Sequence, residues 1–260
     1  MSVKISGVII TFNEEKNIER CIHSMEDVVD EVLVVDSFST DKTREICQNL
    51  GVKFIEHPFA GHIEQKNVAV QKAEHDIILS LDADEALTEA ARTEILKIKS
   101  QWEYDAYYVN RLTNYCGKWI RHCGWYPDRK IRLFDRKIAS WGGENPHDRV
   151  IVKEDARIGF IKADMLHYSF PTIHDHAKTA NHFSEIAARE AIKKGKHVSI
   201  IIHVLLNPWF TFIKKYFFQL GFMDGYHGFV ICILSAHSNF LKYNKIRMLT
   251  KYENSNQQDR

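Results

Sequence analysis

The chain has 260 residues, 45% apolar, 27% charged and 12% aromatic, enough for one large or two small globular domains with a sizeable core. This composition excludes a disordered chain, a collagen-like repeat and a disulfide miniprotein. The formal net charge of +1 hides a division: residues 1–100 carry 11 Lys/Arg against 19 Asp/Glu, a net of −8, while residues 192–251 carry nine Lys/Arg against Asp224 alone, a net of +8. An acidic front and a basic, apolar rear predict two tasks on one chain, the rear being suited to an anionic surface. The five cysteines are odd in number and lack C-x-x-C spacing, which predicts a reduced compartment. The apolar run near the N-terminus is too short for a signal-peptide core, so a cytoplasmic protein is expected.

In chain order, Ile5 to Ile10 and Val32 to Val35 are short β-branched runs that suit buried parallel strands. Between them Asn13 is expected to cap a helix whose first turn holds Glu14 and Glu15. Ser39-Thr40-Asp41 signals a second helix ending near Leu50, with Gly51 as its stop. A strand at Lys53 to Ile55, a helix over Gln65 to Ala73 and a strand at Ile77 to Leu81 continue a doubly wound α/β alternation. From Tyr104 the alternation gives way to aromatic-rich strands and loops of a mixed sheet, and residues 111–136 carry seven Lys/Arg against two acids. A helix from about Ile173 to Lys194, closed by Gly195, precedes an apolar tail broken by Pro208, Gly221, Gly225 and Gly228. No stretch of that tail reaches the roughly 18 uninterrupted apolar residues of a spanning helix. The division expected is 1–100, 101–195 and 196–260, the last a helical, amphipathic C-terminal extension.

Ligands of open α/β sheets bind outside the carboxyl ends of the strands. Those ends carry Thr11, Asn13 and Glu14, then Asp36, then Asp82-Ala83-Asp84-Glu85. The loop after the first strand, TFNEE, has no glycine, which disfavours dinucleotide cofactors and the P-loop. An acidic edge accepts phosphate only through a divalent cation, and closely spaced aspartates suit Mg²⁺ or Mn²⁺. On an extended strand Asp82 and Asp84 would project to one side and address one ion together. Strand-end aspartates that merely cap the next helix are the competing reading of this D-x-D pair.

Four segments, IITFNEE at 9–15, VVDS at 34–37, KNVA at 66–69 and LDADE at 81–85, occur in an order and spacing that resembles the inverting glycosyltransferases of family 2, with the GT-A fold. WYPDRKIRLF, WGGENPHDRV and FFQLGFMDGYHG in the second half are similar to the branch that glucosylates the heptose or Kdo region of the lipopolysaccharide inner core. The resemblance implies a GT-A-like doubly wound mixed sheet and a UDP-sugar donor. Thr11, Asn13, Glu14 and Asp36 would hold the nucleoside, and Lys66 would sit near the diphosphate or ribose. Asp82 would touch ribose or metal, Asp84 would ligate the metal, and His167 matches a late histidine near metal or diphosphate; a plain core or surface histidine is the alternative. An inverting transfer needs a general base. Asp148 takes that position, Glu144 stands in reserve, and an Asp148–Arg149 ion pair is the alternative.

Arg129 and Arg132, on either side of a β-like run, suit phosphates on donor or acceptor through their guanidinium forks, or else form a solvated basic face. Trp119, Trp125 and Trp141 could stack on sugars or fill the core. The aromatic tail with Lys214 and Lys215 fits an interfacial helix on anionic lipid, against a buried helical hairpin or dimer contact. The expectation is therefore a cytoplasmic enzyme, peripheral on the inner membrane, that moves a hexose, glucose from UDP-glucose, onto a lipid-linked oligosaccharide acceptor, with an oligomer possible. A polyprenyl-phosphate glycosyltransferase and a non-catalytic carbohydrate-binding module at a membrane surface are the alternatives. Nucleic-acid binding is disfavoured because the basic tail lacks a recognition motif.

Overall fold

The computed structural model describes residues 2–144, 147–195 and 198–258, without the side chains of Glu144, His147 and residues 252–258. Two compact units emerge, one of residues 1–112 and 127–168, the other of residues 113–126 and 169–260.

The first unit begins β1 (Ile5–Thr11), α1 (Ile18–Met25), β2 (Glu31–Asp36), α2 (Thr43–Asn49), β3 (Lys53–Glu56), α3 (His62–Lys72) and β4 (Ile77–Asp82). β1 pairs in parallel with β2 and with β4, and β2 with β3. Six of the seven β1 residues are buried, as are five of the six in β4, because helices cover both faces of a parallel sheet. One face packs Ile5, Ile9, Leu79 and Leu81 with Ile18, Ile22 and Met25 of α1. The other packs Val8, Leu33 and Ile78 with Ala69 and Val70 of α3. At about 1.5–3 kcal/mol for each large side chain, these layers supply most of the favourable folding term.

After β5 (Glu85–Leu87) and α4 (Glu89–Ser100) the chain adds β6 (Ala106–Tyr115), β7 (Lys118–Ile120), β8 (Asp128–Asp135), β9 (Ala139–Glu144), β10 (His147–Val152) and β11 (Ile158–Phe170). The main sheet runs β3-β2-β1-β4-β8-β6-β11-β5, with β9 and β10 as a separate ribbon. β8 is antiparallel to β4 and β6, so the sheet is mixed. Its register against β6 passes from Tyr107–Leu133 to Tyr108–Ile131, which makes Arg132 the extra residue of a β-bulge. Bulges re-aim side chains beside functional sites, and Arg132 is turned into the sheet, 3% exposed.

The second unit contains α5 (Ile173–Lys193), π-helical turns at Ile200–Leu206 and Lys214–Phe218 flanking α6 (Asn207–Ile213), a 3-10 turn at Gly221–Asp224 and α7 (Gly225–Gln258). A capping box starts α5: Thr172 Oγ1 accepts from the Asp175 backbone N–H while the Asp175 carboxylate accepts from that of Thr172. Among the described residues no single helix is long and apolar enough to cross a membrane.

Candidate active site

All the site residues described below belong to the first unit. β1 and β2 end side by side at Thr11 and Asp36. The Thr11 hydroxyl donates to Asp36 Oδ1 at 2.8 Å, and Asp36 Oδ2 accepts from the Ser39 backbone N–H at 2.7 Å. Asp36 is 1% exposed, so its carboxylate organises the loop that follows it. Asn13 is not the expected helix cap. It has φ 57°, its side-chain oxygen accepts from the Thr40 backbone N–H at 2.8 Å, and α1 starts four residues later than its Glu14 neighbour, after Asn17. Asparagine tolerates this left-handed conformation, which ties the loop after β1 to the loop after β2. Glu14 accepts from Asn17 Nδ2 at 2.8 Å. Burial raises its pKa from the ordinary 4.5; the Asn17 bond opposes that rise, and Asp84, Asp41 and Asp82 add to it.

The sheet then gathers charge around Asp82. Lys66, on α3 and 5% exposed, lies 2.7 Å from Asp82 Oδ1 and 2.7 Å from Asp148 Oδ2. Its ammonium also stands 4.1 Å over the ring of Trp141. Arg132 Nη2 reaches Asp82 Oδ2 at 2.8 Å and Glu85 Oε1 at 2.6 Å. Arg111 joins Glu85 to Asp128, at 3.4 and 2.7 Å. Burial alone would raise the Asp82 carboxyl, but Lys66 and Arg132 outweigh it and hold the group well below the usual carboxylate range. Asn67 clamps the ribbon beside the cluster: its amide donates to the Trp141 carbonyl at 2.9 Å and accepts from the Trp141 backbone N–H at 3.1 Å.

Asp84 faces elsewhere. Ala83 and Asp84 form a turn rather than a continuation of β4, so the expectation that Asp82 and Asp84 address one ion from one face of a strand is corrected. Both Asp82 oxygens are taken by cations, whereas Asp84 Oδ2 meets His167 Nε2 at 3.2 Å. The Asp84 carbonyl accepts from the Tyr168 backbone N–H at 2.8 Å, which fixes the turn against β11. Among the described residues no three His, Cys, Asp or Glu side chains converge as a metal cage. Asp84 and His167 could hold a Mg²⁺ or Mn²⁺ only as a partial ligand set, so phosphate or water would have to supply the remaining ligands.

Arg129 is not brought to this cluster. Its guanidinium lies 5.5 Å over the Phe160 ring, and it lines a cavity of about 930 Å³ with Tyr104, Tyr108 and Lys162. The Glu144 side chain lies outside the described residues. Sequence reasoning placed Glu85 at the acidic edge and Asn67 in a motif without giving either a role, and missed Arg111. The pairing of Arg111 with Asp128 across β6 and β8 was the signal for it, hidden until the register was known.

The mixed sheet brings the polar and acidic ends of β1, β2 and β4 to one edge, the place where α/β sheets bind their ligands. The profile of glycosyl transferase family 2 matches residues 6–153, and the chain belongs to that family and is a glycosyltransferase. It is 35% identical over 257 residues to an uncharacterised glycosyltransferase of Rickettsia typhi, covering 95% of this chain and 88% of that one. It is 26% identical to the lipopolysaccharide core biosynthesis glycosyltransferase LpsC of Rhizobium meliloti, covering 93% and 91%. Among solved structures it is similar to residues 1–349 of S. aureus TarS, with TM-score 0.46 and 14% identity over 99% of this chain and 92% of that one. It is also similar to glucosyl-3-phosphoglycerate synthase of Mycobacterium tuberculosis in complex with Mn²⁺, UDP and glucosyl-3-phosphoglycerate, with TM-score 0.37 and 24% identity over 43% and 44%.

Proposed function

We propose that this glycosyltransferase moves a hexose, glucose from UDP-glucose, onto a lipid-linked core oligosaccharide, inverting the anomeric carbon in a single displacement. The observation that carries the proposal is the position of Lys66, 2.7 Å from Asp82 and 2.7 Å from Asp148. One buried ammonium joins the end of the nucleotide-side strand to the ribbon that carries the general base. Thr11, Asn13, Glu14 and Asp36 bind the nucleoside, with Glu14 accepting from a uracil N–H or a ribose hydroxyl. Asp84 and His167 hold the divalent ion, which supplies Lewis-acid charge to the leaving diphosphate. Asp148 takes the proton of the acceptor hydroxyl as its oxygen attacks the anomeric carbon from the face opposite the diphosphate. Lys66 and Arg132 keep Asp82 ionised and in place. LpsC, by its name a lipopolysaccharide core enzyme, supports the acceptor class, and the basic C-terminal portion supports work at the cytoplasmic face of a membrane.

The test is a panel of nucleotide sugars offered to the purified protein with Mn²⁺ and a lipid-linked core acceptor, with product configuration read by NMR. Transfer from UDP-glucose with inversion is expected. Transfer with retention, or preference for a donor with another nucleotide, contradicts the mechanism or the donor assignment respectively. Failure to bind any nucleotide sugar favours a carbohydrate-binding module.

A further inference from the structure

The second unit carries a surface that transfer chemistry does not use. Between Ile200 and Ile233, seventeen residues are exposed, and fifteen of them are large apolar side chains, among them Ile201, Trp209, Phe210, Phe218 (80%) and Tyr226 (68%). The other two are Lys214 and Gly225. Soluble monomers rarely expose contiguous apolar patches of such size, and a helix lying at an interface keeps a charged face toward water. Here no such face exists. Between residues 198 and 241 the formal charges are Lys214, Lys215 and Asp224 alone, and two of these are spent inside the unit. Lys215 Nζ donates to the Cys123 carbonyl at 2.9 Å, and Asp224 accepts from the His122 backbone N–H at 2.8 Å.

The two apolar arms, Ile200–Phe218 and Gly221–Lys251, pass the length and hydropathy test for membrane residence only as a pair, bent by 71°. Leu220, with φ 54°, makes the break. The break is held within the unit by the Cys123 backbone N–H, which donates to the Gln219 carbonyl at 3.0 Å. Basic residues flank the apolar run on both sides, Lys193 and Lys194 before it and Lys242 and Arg247 after it, the placement that anionic headgroups favour.

We infer that residues 200–233 are inserted into the hydrocarbon of one leaflet of an anionic bilayer, holding the chain as a monotopic membrane protein rather than by surface charge alone. The inference deepens the membrane contact of the proposed function and rests on it only for the whereabouts of the acceptor. A second copy of the chain fits less well, because a protein interface is rimmed by polar residues and Lys214 is the one polar side chain exposed between residues 200 and 233.

The test uses the full-length protein with vesicles of phosphatidylethanolamine and phosphatidylglycerol, washed in about 1 M NaCl, where the Debye length is roughly 3 Å. Retention through the wash is expected. Lipids brominated on the acyl chain should quench the emission of Trp209, read as the difference between the wild type and Trp209→Phe. Replacing Trp209, Phe210 and Phe218 together by Ser should lower vesicle partitioning by ~100-fold or more, with Mn²⁺-dependent UDP binding retained as the sign of an intact first unit. Release of the wild type by salt, or an unquenched Trp209, overturns the inference. So does a monodisperse dimer in detergent-free buffer that ignores vesicles. Loss of UDP binding by the wild type itself would instead overturn the proposed function and leave the insertion standing.

Discussion

Asp82 and Asp84 show how much a single residue's surroundings decide. Two residues apart, one is neutralised by Lys66 and Arg132 and the other meets His167. Asp84→Ala should therefore lower transfer by ~10²–10³-fold, in the range seen when a group stabilising developing negative charge is removed, and should abolish the metal dependence of UDP binding. Asp148→Asn should keep UDP affinity while losing ~10²–10⁴-fold in turnover, the usual contribution of a general base; an active Asp148→Asn would transfer that role to Glu144. Arg132→Met would leave Glu85, which is fully buried, with the more distant Arg111 at 3.4 Å as its cationic partner, and should cost about 3 kcal/mol in denaturant unfolding, the low end of the range for a broken buried pair. Two pH effects of opposite sign follow. The Asp82 carboxyl lies below its ordinary 3.8, so its stabilisation is complete above 3.8 and is lost as pH falls through the lower folded value. Glu14 lies above its ordinary 4.5, so it takes up a proton earlier as pH falls. If its carboxylate accepts from the nucleoside, UDP affinity should fall on acidification before that pH is reached, and Glu14→Gln should remove the dependence in titrations across that range.

At the scale of elements, the parallel half was legible in the sequence because burial on both faces leaves continuous β-branched runs, as at Ile5 to Ile10 and Ile77 to Leu81. The Gly51 stop and the Gly195 stop were legible for the same local reason, a left-handed residue with φ 68° and 66°. The start of α1 was not, because Asn13 spends its side chain on Thr40, 27 residues away. Nor was the bulge at Arg132, which depends on the register of β6 against β8. The strand ends Thr11, Asp36 and Asp82 could be named from motifs, whereas Arg111 acts through tertiary partners that no spacing reveals. Asn67 illustrates the cost of such a contact: Asn67→Ala removes two hydrogen bonds to the β9 backbone and should destabilise the fold by about 2 kcal/mol, at ~1 kcal/mol each. In thermal unfolding it should lower Tm, and it should reduce turnover more than UDP affinity, since the ribbon it clamps carries Asp148.

For the whole molecule, the near-cancelling charges of −8 and +8 separate an acidic half from a basic, apolar end. Part of the first figure is structural: Glu85 is held by Arg132 and Asp82 by Lys66 and Arg132, which leaves Asp84 as the carboxylate of the proposed divalent-ion site. The aromatic content of the tail was legible in the sequence, but its exposure was not, because only the folded unit shows Lys215 and Asp224 turned inward and the apolar residues turned outward. The central claim, a divalent-dependent nucleotide-sugar site at Asp84 and His167, is tested most directly by isothermal titration of the full-length protein with UDP, with and without Mn²⁺. The account predicts that Mn²⁺ tightens UDP binding by a factor within roughly 5–150, the usual range of coupling between two ligands, and that Asp84→Ala abolishes the gain. Equal UDP affinity with and without Mn²⁺ in the wild type would contradict it.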